Sequence, residues 1–270
     1  MPTSILYDEI PEAKPIWETI RIQTQKALQL DPALQDYFEV AILNHARLFD
    51  AVAACVAARL ETAEMPRATL YALFDQTAGQ KTQFERAVEA DLMAFLERDP
   101  ACHRYIEPIL YFKGFIALQT HRFAHIFWNQ GRKDFAYFLQ GRASCVFQVD
   151  IHPAAILGQG LFLDHATGLV IGETAVVEDN VSILHGVTLG GTGKECGNRH
   201  PKIRQGVLIG AGAKILGNIE IGACAKIAAG SLVLNSVSAH VTVAGVPAKI
   251  IARHTTQEPA LTMDQALSNH

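Results

Sequence analysis

No apolar run in this sequence approaches the length that crosses a bilayer. The opening MPTSILYDEIPEAK is acidic and lacks a basic segment followed by an apolar one. Neither a membrane span nor a signal peptide is therefore expected, and the expected location is the cytoplasm. Cysteine is sparse: Cys55, Cys102, Cys145, Cys196 and Cys224 are odd in number, scattered and without a CxxC pair. That argues against a disulfide framework or a zinc finger and fits reduced thiols. Cys196 alone lies in a glycine-rich loop, where it reads as an unpaired bystander. Cationic charge is not in excess either. With 23 Lys and Arg against 27 Asp and Glu, the formal charge of -4 does not suit a surface built mainly for nucleic acid.

What is present is apolar substance. The 270 residues are 49% hydrophobic and 19% charged, enough for one large domain or two ordinary ones with a sizeable core. Residues 1–145 carry helical periodicity and helix punctuation. Asp31-Pro32 offers an N-cap and a proline at the first helical position, and the stretch from there to Leu60 contains no breaker. Phe38, Ile42, Phe49, Val52 and Val56 form its apolar stripe. Further helices are expected in PRATLYALFDQTAG, ending at Gly79, in KTQFERAVEADLMAFLERD, closed by Pro100, in PILYFKGFIALQTHRFAHIFWNQ and, beyond Gly131, in RKDFAYFLQGR. Aromatic residues crowd the last two and read as core or subunit contact. His121 and His125 stand at i and i+4, a metal-binding spacing. With no third ligand they read as a solvated or hydrogen-bonded pair.

From Ile151 the period changes to six. Aliphatic residues recur at Ile151, Leu157 and Leu163, then at Ile171, Val177, Ile183 and Leu189, then at Ile203, Ile209, Ile215, Ile221, Ile227 and Val233. A helix needs 3.6 and a single strand needs 2, so a sustained six points to a parallel β-helix of about four or five coils. Each coil stacks on its neighbours, and the ends need caps, which the helices and the tail can supply. Two interruptions break the register: a two-residue slip at Asp164-His165-Ala166-Thr167-Gly168, and GGTGKECGNRHPK between Leu189 and Ile203. Insertions in a repeat scaffold project as loops and usually form its working face. The second is not a P-loop, since Thr188 stands where that motif needs glycine and Glu195 where it needs Ser or Thr.

The slip sets an acid beside a histidine, a residue able to act as general base near neutrality. His165 and His185 both follow their hexad aliphatic by two positions and should stack on adjacent coils. Asp150 is half a hexad out of phase with His165, so the count alone does not bring its carboxylate to that imidazole. A surface histidine in a polar turn is the plainer alternative. Position at a register break, with Arg199-His200 in the second break, favours function.

Five stretches resemble the serine O-acetyltransferase family of hexapeptide-repeat acyltransferases. They are Gln148-Val149-Asp150-Ile151-His152-Pro153, Leu163-Asp164-His165-Ala166-Thr167-Gly168, Gly172-Glu173-Thr174, Leu189-Gly190-Gly191-Thr192-Gly193-Lys194 and Arg199-His200-Pro201-Lys202-Ile203. Glu97-Arg98-Asp99-Pro100 and Leu110-Tyr111-Phe112-Lys113-Gly114-Phe115 extend the likeness into the helical half. The resemblance implies an α+β chain: an N-terminal helical oligomerisation domain over 1–145, a left-handed parallel β-helix over 146–252 and a flexible tail over 253–270. It implies acetyl transfer from acetyl-CoA to L-serine, giving O-acetyl-L-serine and CoA, with no metal. His165 is then the general base and Asp150 its orienting partner. Arg199 and His200 hold the substrate carboxylate, Asp99 and Asp164 its ammonium group, and Glu173 supports them. Coenzyme A is expected near Gly191, Ala211 and Ala229, with Lys249 a phosphate partner. A trimer, or a dimer of trimers with sites between subunits, and feedback inhibition by L-cysteine are implied too. Members that bind O-acetylserine sulfhydrylase end in isoleucine. This chain ends Ser268-Asn269-His270, which speaks against that complex.

Three other readings stay open at the level of sequence. A γ-carbonic-anhydrase-like metalloenzyme would use His165, His185 and His152 or His200. A hexapeptide transferase could act on another hydroxyl, such as a sugar or homoserine. A non-catalytic scaffold would tolerate loss of His165.

Overall fold

The computed structural model describes residues 15–193, 196–253 and 258–266. Among the described residues eight α-helices precede the first strand: α1 (Ile16–Leu30), α2 (Gln35–Phe38), α3 (Leu48–Leu60), α4 (Arg67–Asp75), α5 (Lys81–Arg98), α6 (Ile106–Tyr111), α7 (Lys113–Asn129) and α8 (Lys133–Phe147). The ends of the chain, including Ser268, Asn269 and His270, lie outside the described residues, as do Lys194 and Glu195 in the second loop.

Two expected helices are broken. The stretch expected as one helix from Pro32 to Leu60 starts with Asp31 accepting from the Ala33 amide at 3.3 Å, passes through a 3-10 turn and α2, and ends in a π-turn over Glu39–Leu43. It restarts only at Leu48. Tertiary partners satisfy the backbone groups that the break frees. Arg21 on α1, a helix not separately expected, donates to the carbonyls of Leu43 and His45 at 3.1 and 2.7 Å. Glu85 on α5 accepts from the Phe49 amide at 3.2 Å and pairs with Arg47 at 2.5 Å. The apolar stripe survives the break, since Phe38, Ile42, Phe49, Val52 and Val56 are all buried. The second break is at Phe112, between α6 and α7. There Gly114 meets the β-helix so closely that an added Cβ would lie 2.1 Å from the Leu163 carbonyl oxygen. The helix expected to end at Gly79 ends at Asp75 and is followed by a 3-10 turn over Ala78–Gln80.

The histidine pair on α7 divides. His125 Nδ1 donates to the Pro153 carbonyl at 2.8 Å. His121 is neither solvated nor hydrogen-bonded: it is buried, and among the described residues neither ring nitrogen has a partner. Nearby, the fully buried Asp91 on α5 takes Arg122 at 2.7 Å, Gln119 at 3.0 Å and the Leu161 amide at 3.0 Å, stapling two helices to the first coil.

Short strands follow: β1 (Val149–Ile151), β2 (Ile156–Leu157), β3 (Phe162–Leu163), β4 (Leu169–Ile171), β5 (Val176–Val177), β6 (Ser182–Ile183) and β7 (Thr188–Gly190). After the second loop come β8 (Lys202–Ile203), β9 (Leu208–Ile209), β10 (Lys214–Leu216), β11 (Glu220–Ile221), β12 (Lys226–Ile227) and β13 (Leu232–Val233). With β14 (Val241–Gly245), they stack in parallel as a first face, β1-β4-β7-β10-β13, a second, β11-β8-β5-β2, and a third, β14-β12-β9-β6-β3. This is a parallel β-helix of five coils behind a helical region, the architecture the period of six requires. The hexad aliphatics pair with one another in the ladder, for example Ile151 with Ile171 and Ile171 with Leu189, and point inward. The last coil contains β14 (Val241–Gly245), against which β15 (Ala248–Arg253) turns back antiparallel. A short helix, α9 (Pro259–Thr262), lies against the third face, with Ala260 buried and its carbonyl accepting from Ser182 Oγ at 2.8 Å.

Candidate active site

The chain rounds three corners per coil, and the candidate residues gather at two of them, on either side of the first face. The corner between the third and first faces carries the slip. Leu163 to Ile171 takes eight residues where a hexad takes six, and the surplus is accommodated by His165 and Ala166 in consecutive left-handed conformations, φ 51° and 57°. Side chains with a Cβ rarely enter that region. Ala166 is buried, and Thr167 is tied by the Gly186 amide to its carbonyl at 2.8 Å and by Lys113 Nζ to its hydroxyl. The turn drives the His165 side chain outward, where it is 78% exposed.

Around that imidazole lies a cavity of about 320 Å³, walled by Phe95, Tyr111, Phe162 and the end of α5. Asp99, the residue that terminates α5, and Asp164 both line it. His165 Nε2 stands 3.6 Å from Asp164 Oδ1. Burial pushes the Asp164 carboxyl above the usual carboxylate range; His165 opposes this and Asp99, as a like charge, adds to it. The His165 and His185 rings are 6.3 Å apart, the stacking the coil count predicted. Ala211 and Ala229 continue the same column one and two coils further on, each two residues after its hexad aliphatic; the Gly212 amide donates to the His185 carbonyl at 2.9 Å and the Gly230 amide to that of Ala211 at 2.8 Å.

The corner between the first and second faces holds the second group. Arg199 Nη2 donates to Glu173 Oε2 at 2.6 Å. Glu173 is held below the usual carboxylate range, first by that hydrogen bond. Thr174 fastens the end of the second loop: its hydroxyl accepts from the Arg199 and His200 amides at 3.0 and 3.1 Å, and its own amide donates to His200 Nδ1 at 3.1 Å. Nδ1 is therefore an acceptor, and the neutral His200 ring carries its proton on Nε2. Burial keeps this histidine below its ordinary value, and Arg199 reinforces the effect. The ring rests on Gly172, where a Cβ would fall 2.0 Å from it. Gly191 belongs to this corner too, in contact distance of Arg199, and not to the Ala211–Ala229 column. Lys249 lies apart, exposed on β15 opposite Ala244.

Asp150 sits on the outer side of the first face, between the two corners. Its Oδ1 accepts from Gln140 Nε2 at 2.6 Å, and among the described residues no hydrogen bond or ion pair joins it to His165. Within one chain the expected dyad is thus not assembled, and Asp99 and Asp164 are parted from Arg199 and His200. His152 is packed against Trp128 and Tyr137 with ring centroids at 5.2 and 5.6 Å. Sequence reasoning gave no role to Thr174, Gln140 or Lys113. Thr174 and Lys113 stood in family motifs without a task, and contacts of helical side chains such as Gln140 with particular coils leave no mark in the hexad pattern.

Two family models match the chain: "Serine acetyltransferase, N-terminal" over residues 16–120 and "Bacterial transferase hexapeptide (six repeats)" over residues 200–235. Serine acetyltransferase of Escherichia coli K12 is 47% identical over 254 residues, covering 94% of this chain and 93% of the relative. A crystal structure of serine acetyltransferase from Brucella abortus in complex with coenzyme A is 57% identical, with a TM-score of 0.88 over 91% of this chain and 98% of that one. A serine acetyltransferase complex with cysteine is 47% identical, with a TM-score of 0.91 over 93% and 98%. By its sequence, its fold and the extent of these matches, the chain belongs to the serine acetyltransferase family.

Proposed function

We propose that the protein transfers the acetyl group of acetyl-CoA to the hydroxyl of L-serine, giving O-acetyl-L-serine and CoA, the first step of cysteine synthesis. The observation that carries this reading is the cavity in which an exposed imidazole stands beside two carboxylates, Asp99 and Asp164. A small amino acid offers the complementary groups: an ammonium for the carboxylates and a hydroxyl for the imidazole. His165 removes the hydroxyl proton as Oγ attacks the thioester carbonyl carbon. The tetrahedral adduct collapses with cleavage of the carbon–sulfur bond, and the proton passes from the imidazole to the departing thiolate. Arg199 supplies a planar donor pair for the substrate carboxylate, steadied by Glu173, and neutral His200 supplies a further donor at Nε2. Asp150 orients the imidazole.

Those groups lie at two corners of one chain, so the complete site forms between subunits, the first corner of one β-helix facing the second corner of its neighbour. A trimer provides three such sites, and the helical regions join two trimers. Coenzyme A runs along the column from His185 to Ala211 and Ala229, with Gly191 and Lys249 reaching it from their own positions. L-cysteine, an isostere of serine with a thiol for the hydroxyl, occupies the serine position and inhibits. Expected residence is the cytoplasm; among the described residues no helix is long and apolar enough to cross a membrane.

Thiol release from acetyl-CoA with a panel of hydroxyl acceptors tests the reaction. Serine should be preferred, and a better rate with homoserine or a sugar would replace it as substrate. Mixing His165→Ala and Arg199→Ala chains tests the shared site. Each variant alone should be inactive, and mixed trimers should regain part of the activity because some interfaces then hold both native corners. No recovery would place both corners' functions in one chain.

A further inference from the structure

We propose that Gln140 is a positioning residue, fixing the Asp150 carboxylate so that one oxygen is held and the other is left to accept from an imidazole. The inference rests on the role given above to Asp150. Helix α8 buries Ala136, Leu139, Ala143 and Phe147 against the body of the protein, which sets its remaining faces firmly. It passes directly into β1 through Gln148 in a left-handed conformation, φ 57°. Gln140 and Asp150 are therefore ten residues apart on two elements joined without a loop, and neither can shift alone.

The contact has a direction. An ionised carboxylate only accepts, so the amide must turn its NH2 toward Asp150 and its oxygen away. At 2.6 Å to Oδ1 this is a short, charge-assisted hydrogen bond, stronger than a neutral pair. Among the described residues it is the one hydrogen bond that Asp150 receives, so Oδ2 stays available. On its other side Gln140 borders a void of about 10 Å³ shared with Thr120 and His121, too small for anything beyond a single water. A carboxylate on the outer side of a strand has two soft torsions, and without this tether it would rotate and trade its oxygens.

Kinetics of Gln140→Ala and Gln140→Glu test the assignment, with Asp150→Asn measured beside them. Loss of orientation at a proton-transferring pair should lower kcat about ten-fold in Gln140→Ala, with KM for serine and acetyl-CoA unchanged. Gln140→Glu should fall further, because a second carboxylate repels the first. Gln140→Ala should cost no further kcat once Asp150 is Asn, since orienting that carboxylate has no effect when the carboxylate is gone. A parental kcat in Gln140→Ala beside a disabled Asp150→Asn overturns the proposal and leaves the reading of Asp150 standing. An equal loss in both backgrounds overturns it as well, because Gln140 would then act elsewhere. A parental kcat in Asp150→Asn removes the reading of Asp150 and the proposal with it.

Discussion

At the scale of single residues, the site is made of ordinary side chains placed in unusual surroundings. Asp164 is a half-buried acid whose carboxyl is pushed up by burial and then by Asp99, with His165 pulling the other way. A raised carboxyl loses its charge earlier as pH falls. Affinity for a substrate ammonium should therefore weaken on the acid side, with KM for serine rising as pH drops. Asp99→Asn removes the repelling charge, so Asp164 should hold its proton less tightly. The acid rise in KM should then move to lower pH, although KM near neutrality is higher for want of one carboxylate. A pH series of KM for both proteins checks the direction. Gly172→Ala probes the other corner. Its methyl would strike the His200 ring at 2.0 Å, and the ring is held from behind by Thr174. Loss of about a hundred-fold in kcat/KM is expected, with Arg199 still paired to Glu173. His165, His200 and the two acids were legible in the sequence because they sit at breaks in a strict period or in family motifs. The contact of Asp150 was not, since the hexad count fixes which face a residue occupies and says nothing of a helix passing above it.

Among the elements, the breaks carry the information. A helix with no breaker beyond its opening Pro32 was expected to run to Leu60. It stops where Arg21 and Glu85, distant in sequence, offer its freed carbonyls and amides better partners than the next turn could. Local propensity has no access to such partners. The break at Phe112 has a different cause, close approach: Gly114, the second residue of α7, is pressed on the Leu163 carbonyl, next to the turn that presents His165. Gly114→Ala should cost about 1–3 kcal/mol, because backbone on one side and a helix on the other leave the methyl no room. Urea denaturation should show a lower midpoint with an unchanged slope. Within α7, His121 is a buried imidazole held well below its ordinary value, by burial first and by His125 next. The folded chain then binds fewer protons there than the unfolded chain. Stability from this group is full above the unfolded value of about 6.5 and is lost as pH falls below it. His121→Phe abolishes that linkage. The fall in melting temperature between about pH 7.5 and 5.5 should be smaller in the variant than in the parent.

For the whole molecule, the period of six determined more than any motif did. It fixed the interior, bounded the coils at about four or five, and set His165 on His185. What it left open was how chains meet, because corners of a prism are equivalent in a one-dimensional pattern until insertions and helices mark them. One end of the prism has a consequence for the length of the molecule itself. Strand β15 runs against the direction of every strand stacked before it. On the third face, a coil from another copy could not continue the parallel ladder beyond it. Cutting the chain after Gly245 should bare β14 as an unpaired edge. Sedimentation of that shortened protein should reveal assemblies larger than the parent's, growing with concentration.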